Sequence, residues 1–188
     1  EWTKQPVKTA NGVSFDGSND WLKITDLNVT AQHIFIVAKR HPQGGSGYLL
    51  SGNGNNGVRW GTYNNFYLNS GDFGNGAGGS ARVSAGPNSL TDNVTFVATL
   101  TVGASDSDNG VFGHLYLGVS PSSWQHHFDG EIHEVLFYDR ILQNSERDAV
   151  EQHLAQKWGI TLYPEQQAAA QAAYDAAKPP DEPENGLV

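Results

Sequence analysis

The part of this chain that most constrains its fold is a continuous block near the C-terminal end, residues 128–142. After Asp129 and Gly130 it carries Ile132 and then four apolar or aromatic residues, 135–138. β-Branched and aromatic residues behind an Asp-Gly pair are typical of a β-strand. We therefore predict a core strand here, around which the remaining strands are arranged.

A helix is predicted directly after this strand, at Asn144–Trp158. Apolar residues recur every four positions at Val150, Leu154 and Trp158, while Arg147, Glu151 and Gln152 fall elsewhere. Ser145, three residues before Asp148, fits the capping-box pattern, and Gly159 fits a helix end. The helix is expected to pack its apolar stripe on the sheet.

Composition predicts an all-β protein. Of 188 residues, 22 are Gly and only 16% are charged, which favours many short strands joined by turns. Residues 1–160 are long enough for one β-sandwich domain, whereas 161–188 is rich in Ala and Gln and then in Pro and acids. We interpret 161–188 as an extension or linker.

Charge and cysteine content exclude several classes of function. With 11 Lys and Arg against 20 Asp and Glu, the net charge of -9 predicts no nucleic-acid partner. The absence of Cys excludes disulfides, thiolate nucleophiles and Cys-ligated zinc. No apolar run reaches membrane-spanning length, so no membrane insertion is predicted. The chain starts at Glu1 and lacks Met, and we expect it to be part of a larger protein.

Alternating residues predict further strands. Residues 13–15 and 21–24, separated by the turn 16–20, are expected to form a hairpin, and so are 94–102 and 111–119. The nearly continuous apolar run 33–38 is typical of a central strand covered on both faces. Three shorter strands are predicted in the Gly- and Asn-rich region, around 48–51, 58–62 and 66–69.

Two motifs resemble the laminin-G-like, concanavalin A-like domains of bacterial and phage proteins. Residues 15–22 (FDGSNDWL) resemble an early strand and turn of that family, and residues 128–142 (FDGEIHEVLFYDRIL) resemble its late strand. The ending 154–160 (LAQKWGI) is similar to the ending common in these members. The motifs appear in the family's order and bracket residues 13–160.

This resemblance implies a two-sheet antiparallel jelly-roll sandwich, a fold that hosts sugar binding, protein adhesion and glycan cleavage. Many relatives bind one calcium ion through acids of the first turn and the late strand. By position this implies a role for Asp20 and the start of the late strand, although His133 stands where relatives often carry an acid.

Glu131 and Glu134 suggest a comparison with the glycoside hydrolases of the same superfamily. Retaining hydrolysis needs two carboxyl groups on one cleft. Regular strand alternation places Glu131 on the face of His133 and Glu134 on the opposite face, so we predict no catalytic pair and no enzymatic activity.

Other side chains are candidate metal ligands. Asp16, Asn19 and Asp20 form an oxygen-rich turn suited to calcium, with Asx-turn hydrogen bonding as the alternative. Asp106 and Asp108 resemble the start of a calcium loop, but they fit a hairpin turn better. A third group suits a transition metal, with an ordinary polar loop as the alternative: Trp124, His126, His127, Asp129 and His133.

Aromatic and amide residues in the Gly-rich region are the candidate ligand-binding residues. Flat rings beside amide groups suit the CH faces and hydroxyls of sugars. Alternation sends some of these aromatics into the core, and Trp2, Trp21 and Trp158 are also expected there. The predicted binding set is Trp60, Tyr63, Asn64, Asn65 and Tyr67.

These observations favour a non-catalytic recognition or adhesion module that binds carbohydrate, with calcium as a possible cofactor. Its partner is then a glycan or a surface protein, and its location extracellular, on a cell surface or on a virion. The alternatives are a structural or assembly domain that contacts protein, such as a virion decoration or fibre component, and a glycan-cleaving enzyme.

Overall fold

The protein is mostly β, with one helix in the part of the chain that the structure describes. The computed structural model describes residues 5–25, 29–42, 47–51, 57–60, 66–69, 80–83, 92–101, 111–112, 115–119, 126–161 and 172. The strands are β1 (Val7–Lys8), β2 (Val13–Asp16), β3 (Leu22–Ile24), β4 (Val29–Thr30), β5 (His33–Arg40), β6 (Gly47–Ser51), β7 (Gly57–Trp60), β8 (Phe66–Asn69), β9 (Ser80–Val83), β10 (Thr95–Thr101), β11 (Val111–Phe112), β12 (Leu115–Leu117) and β13 (Asp129–Tyr138). The helix, α1, is Asn144–Trp158.

Two antiparallel sheets organise these strands. Among the described residues, the first sheet has six strands in the order β1-β2-β13-β5-β10-β9, and the second has five in the order β3-β12-β6-β7-β8. A two-stranded ribbon pairs β11 with β4. The prediction of a mostly β protein with two antiparallel sheets and a C-terminal helix is therefore confirmed.

The main core lies between the two sheets. Alternate residues of β5, such as Ile34 and Ile36, point towards it, and Leu49, Leu50 and Leu115 reach it from the second sheet. Its buried members are all apolar: Phe15, Ala31, Ile34, Ile36, Ala38, Leu49, Leu50, Phe96, Ala98, Leu100, Leu115, Leu117, Phe128 and Ile132. Residues 33–38 form the predicted central strand, which pairs with β13 and β10 on its two sides and is buried throughout.

A second apolar cluster lies on the other face of the six-stranded sheet, beneath α1. Phe35 and Val37, which alternate with the inner residues of β5, pack there with Leu154. The predicted stripe is confirmed, because Val150 and Trp158 belong to the same cluster. Glu151, however, is also buried, with only 1% of its surface exposed. Its carboxylate accepts a hydrogen bond from the hydroxyl of Thr99.

The ends of α1 follow from local chemistry. The backbone N–H of Gln143 donates to Glu146 at 2.8 Å, so the reciprocal contact of the capping box comes from Gln143 and Glu146, two residues earlier than the predicted Ser145 and Asp148. Gly159 adopts a left-handed conformation with φ of 65° and ends the helix as predicted. The predicted bounds Asn144–Trp158 are those observed.

The first predicted hairpin is wrong. β2 pairs with β1 and β13 in the six-stranded sheet, whereas β3 pairs with β12 in the five-stranded sheet. The turn at 16–20 therefore carries the chain from one sheet to the other. Strand alternation on both sides of a turn does not distinguish these two outcomes, because both bury one face of each strand.

The second predicted hairpin is also wrong. β10 already has β5 on one side and β9 on the other, so it has no edge left for the chain that follows it. β11 instead pairs with β4, and β12 pairs with β3 and β6. The three short strands predicted around 48–51, 58–62 and 66–69 correspond to β6, β7 and β8.

The extension 161–188 lies outside the described residues except for Thr161 and Ala172, and so does Trp2. Across the described ranges, no helix combines the length and the apolar character that crossing a membrane requires.

Candidate functional site

The turn between β2 and β3 holds the first predicted metal ligands. Asp16 Oδ1 accepts hydrogen bonds from the backbone N–H groups of Ser18 at 2.9 Å and Asn19 at 3.3 Å. Asp20 Oδ2 accepts from the backbone N–H of Asp16 at 3.1 Å. These bonds are the Asx-turn chemistry weighed above, and they fix the path of the chain between the sheets.

One oxygen of this turn is left over. Asp20 is buried, with 3% of its surface exposed, and its Oδ1 has no hydrogen-bond partner among the described residues. A carboxylate oxygen in that position costs about 1–3 kcal/mol when nothing satisfies it, so a bound cation would stabilise it. The backbone oxygen of Asp20 lies 3.4 Å from Nδ1 of His127, which donates to it.

The start of β13 lies against the same turn. Asp16 pairs with Asp129 across the two strands, and Gly17 has a φ of 72°. A Cβ atom on Gly17 would lie 2.7 Å from Cβ of Asp129, so only glycine allows this approach. The turn and the late strand therefore meet, and Asp129 itself contacts Nδ1 of His41 at 2.9 Å.

A β-bulge in β13 changes the geometry of the two glutamates. Glu131 pairs with Lys39 and Glu134 pairs with Val37, so the register shifts at His133 between Ile132 and Glu134. Lys39 and Val37 are two residues apart on β5 and share its outer face. Glu131 and Glu134 therefore share that face as well, and the prediction that they point in opposite directions is wrong, because the extra residue of the bulge resets the alternation.

Both glutamates are held by cations. Glu131 Oε1 lies 2.6 Å from Nζ of Lys39, and Glu134 accepts from Lys157 Nζ at 2.9 Å and from Trp158 Nε1 at 2.7 Å. Burial acts to raise the pKa of each carboxyl, but the Lys39 contact for Glu131, and the Lys157 and Trp158 bonds for Glu134, lower both pKa values below the ordinary value. Both side chains are thus ionised, whereas glycoside hydrolysis needs one carboxyl to carry a proton.

The predicted transition-metal group is not brought together. His126, which has a φ of 57°, lies 6.4 Å from the Tyr48 ring, while His127 turns to the backbone of Asp20. His133 Nδ1 donates to the carbonyl oxygen of Asn11 at 3.1 Å, and its ring lies 4.9 Å from that of Trp158. Within the described ranges, no three His, Cys, Asp or Glu side chains are placed to hold one metal ion. Trp124 lies outside those ranges.

The predicted ligand-binding residues are described only in part. Trp60 is the last residue of β7 and pairs with Phe66, the first residue of β8, while Tyr67 pairs with Arg59. Residues 61–65 therefore connect two antiparallel neighbours. Tyr63, Asn64 and Asn65 lie in this connection, outside the described residues, and so do Asp106 and Asp108.

An exposed aromatic group was missed by the sequence prediction. Trp21, expected in the core, has 37% of its surface exposed, and its ring lies 6.0 Å from that of Tyr116. Lys23, two residues later on the same face, holds its ammonium 5.4 Å from the Tyr116 ring centre. That spacing was the available signal, because a lysine at the second position after an aromatic in a strand indicates the solvent-facing side.

Comparisons with protein-family models, with curated proteins and with solved structures return no match to this chain.

Proposed function

We propose that this chain is a non-catalytic recognition module that binds carbohydrate, with the jelly-roll topology of laminin-G-like, concanavalin A-like domains. It belongs to a larger protein that acts outside the cell, on a cell surface or on a virion. Two antiparallel sheets around a shared apolar core support this assignment, and so does the contact between the first turn and the late strand.

The observation that carries the binding role is the register of β7 and β8. Because Trp60 pairs with Phe66, the five candidate binding residues fall within one hairpin and the connection between its strands. Trp60 directly precedes this connection and Tyr67 is the second residue after it, while the connection itself carries Tyr63, Asn64 and Asn65. Aromatic rings with neighbouring amides are suited to stack on sugar rings and to bond their hydroxyls.

A glycan array tests this role directly. Wild-type protein is compared with a triple variant, Tyr63→Ala, Asn64→Ala and Asn65→Ala, and with a control, Asn144→Ala and Gln156→Ala, which removes two exposed amides of α1. We expect the first variant to lose binding and the control to keep it. If wild-type protein binds no glycan, the carbohydrate role is rejected in favour of an assembly domain that contacts protein.

Calcium is part of the proposal. The orphaned Oδ1 of Asp20 would face the ion, Asn19 lies in the same turn, and Asp16 and Asp129 lie on the two strands that meet there. The ion would supply a positive charge that holds the turn and attracts sugar hydroxyls. Isothermal titration with calcium alone, for wild type and Asp20→Asn, measures this. Equal heats for the two proteins would reject calcium at this turn.

The proposal that this module is not catalytic is based on the two glutamates of β13. A retaining or inverting pair needs one protonated carboxyl at working pH, and both carboxyls here have lowered pKa values and lysine partners. We expect no reducing ends to be released from any polysaccharide that the module binds. Cleavage that disappears in both Glu131→Gln and Glu134→Gln would overturn this part of the proposal.

A further inference from the structure

The outer face of the five-stranded sheet carries a compact group of two rings and one cation, Trp21, Tyr116 and Lys23. We call this group the edge platform, because Lys23 belongs to β3, which is one of the two edge strands of that sheet among the described residues, and Trp21 directly precedes β3. Trp21 and Lys23 are both exposed, whereas Tyr116 below them retains only 7% of its surface. The platform therefore offers an indole and an ammonium to solvent on a buried aromatic base.

Contacts within the platform fix its shape before any ligand arrives. The Trp21 and Tyr116 rings are 6.0 Å apart and inclined at 44°, a geometry typical of a favourable aromatic pair. Lys23 Nζ lies 5.4 Å from the Tyr116 ring centre, within the range of a cation–π interaction. A ligand that binds here orders few side chains, and the conformational entropy lost on binding is small.

The charge of Lys23 is not neutralised by any described carboxylate. Other Lys and Arg side chains within the described ranges form ion pairs with acids: Lys39–Glu131, Arg40–Asp92, Arg140–Glu146, Arg147–Asp148 and Lys157–Glu134. Lys23 instead faces an aromatic ring. In a chain with a net charge of -9, an exposed lysine that lies beside a tryptophan, and that has no acidic partner within the described ranges, marks a local site for an anion.

We propose that the edge platform binds an acidic sugar, a uronate unit of a polysaccharide, which stacks a CH face on Trp21 and places its carboxylate beside Lys23. This inference rests on the proposed carbohydrate role and adds to it a second surface and a class of sugar. Acids more than about 8 Å from the platform oppose binding only weakly, because charges are screened beyond that distance at physiological ionic strength.

A pair of probes isolates the two interactions. A galacturonate hexasaccharide carries the carboxylates, and its methyl-esterified form has the same sugar backbone without the charge. Trp21→Ala should weaken binding of both probes by roughly tenfold, as expected for the loss of an aromatic stacking partner. Lys23→Gln should weaken only the charged probe, by about threefold, because the ion pair is exposed to solvent.

Matched controls are available on other surfaces. Lys8→Gln removes another exposed lysine, and Val94→Ala truncates another exposed apolar side chain. Neither change should alter binding in isothermal titration. The same protein samples are checked by thermal unfolding, so that a variant with an unchanged Tm reports on binding alone.

The outcomes separate this inference from the proposed function. Weaker galacturonate binding in both Trp21→Ala and Lys23→Gln supports the edge platform, whether or not the Tyr63, Asn64 and Asn65 variant also binds less glycan. Binding of the galacturonate that survives Trp21→Ala and Lys23→Gln overturns the platform and leaves carbohydrate recognition in place. Binding of no saccharide rejects both. Displacement of the galacturonate by an oligothymidylate of similar length, with tighter binding, overturns the choice of a sugar ligand in favour of single-stranded nucleic acid.

Discussion

The two faces of the six-stranded sheet are stabilised in different ways. The inner face meets the second sheet through a cluster of apolar side chains, among them Phe15 and Ile36. On the outer face, the apolar contacts of Phe35 and Leu154 lie beside buried polar groups that connect the sheet to α1. Packing alone tolerates small shifts, whereas a hydrogen bond in an apolar interface exists at only one alignment.

Two polar contacts fix the helix on the outer face. His33 Nδ1 accepts from the backbone N–H of Leu142 at 2.9 Å, so the neutral ring carries its proton on Nε2 and donates it to Thr101 Oγ1 at 2.9 Å. Farther along, Thr99 donates to Glu151. Together they set where α1 begins and which of its residues lies over β10. The inner face thus supplies stability, and the polar contacts of the outer face fix the alignment of α1 on the sheet.

The largest expected effect is on the inner face. Phe15 is fully buried and lies 6.3 Å from the Phe128 ring. Phe15→Ala should lower the free energy of unfolding by about 3–5 kcal/mol, because it leaves a cavity between the sheets. Urea unfolding measures this, with Phe15→Leu as the milder control. A loss below about 1 kcal/mol would show that the inner face does not dominate stability.

Truncation on the outer face should cost less and act locally. Leu154→Ala removes the buried centre of the helix contact, with an expected loss of about 2–3 kcal/mol, since the half-buried Val150 and Trp158 beside it can partly close the cavity. Hydrogen exchange should report faster exchange in α1 and unchanged protection in β5. Equal loss of protection in both elements would mean that the two faces unfold as one unit.

The Thr99–Glu151 pair tests alignment rather than packing. Glu151→Ala leaves the Thr99 hydroxyl buried without this acceptor, so we expect a loss of about 1–2 kcal/mol. The double variant Thr99→Val with Glu151→Leu removes both polar groups and should recover most of that loss. A double-mutant cycle in urea, built from Thr99→Val, Glu151→Leu and the double variant, measures the coupling. Strictly additive losses would indicate that the hydrogen bond has no role in placing the helix.

The smallest effect is the pH dependence of the outer edge. The folded pKa of Glu134 is lowered, so its bonds to Lys157 and Trp158 stabilise the fold above the ordinary glutamate pKa and are lost as pH falls through the folded value. On acidification below about pH 4.5, Tm should fall less in Glu134→Gln than in the wild type. The difference in the free energy of unfolding should be less than ~1 kcal/mol. If Tm falls equally at low pH in the variant and in the wild type, this contact is excluded as a source of acid sensitivity. Gln143→Ala, at the other end of α1, serves as a control.

Elements with a regular local pattern were predictable from the sequence, whereas their partners were not. Residues 33–38 and Asn144–Trp158 were recognised because periodicity and capping are local properties. The strands that pair with β2 and the strands that pair with β10 were both predicted wrongly, because a turn between two alternating segments is compatible with one sheet or two.

The candidate site was predictable to a similar degree. The Asp16–Asp20 turn was identified by its residues, but the burial of Asp20 depends on the second sheet. Glu151 was set aside as polar, although its spacing from Leu154 and Ala155 places it within the helix contact. The bulge at His133 has no sequence pattern of its own, since it arises from the pairing of β13 with β5.

That bulge also determines how the length of β13 can change over evolution. Ile132 faces the inner core and Leu136 faces the helix, and the single extra residue between the two halves makes both orientations possible. Deleting His133 would leave Ile132 opposite Ala38 and Glu134 opposite Val37 as consecutive residues, so both halves would keep their buried faces in a regular strand. Descendants of this chain can therefore lose the bulge residue without other changes, whereas a one-residue deletion within 135–138, away from the bulge, would move the residues after it to the opposite face of the sheet.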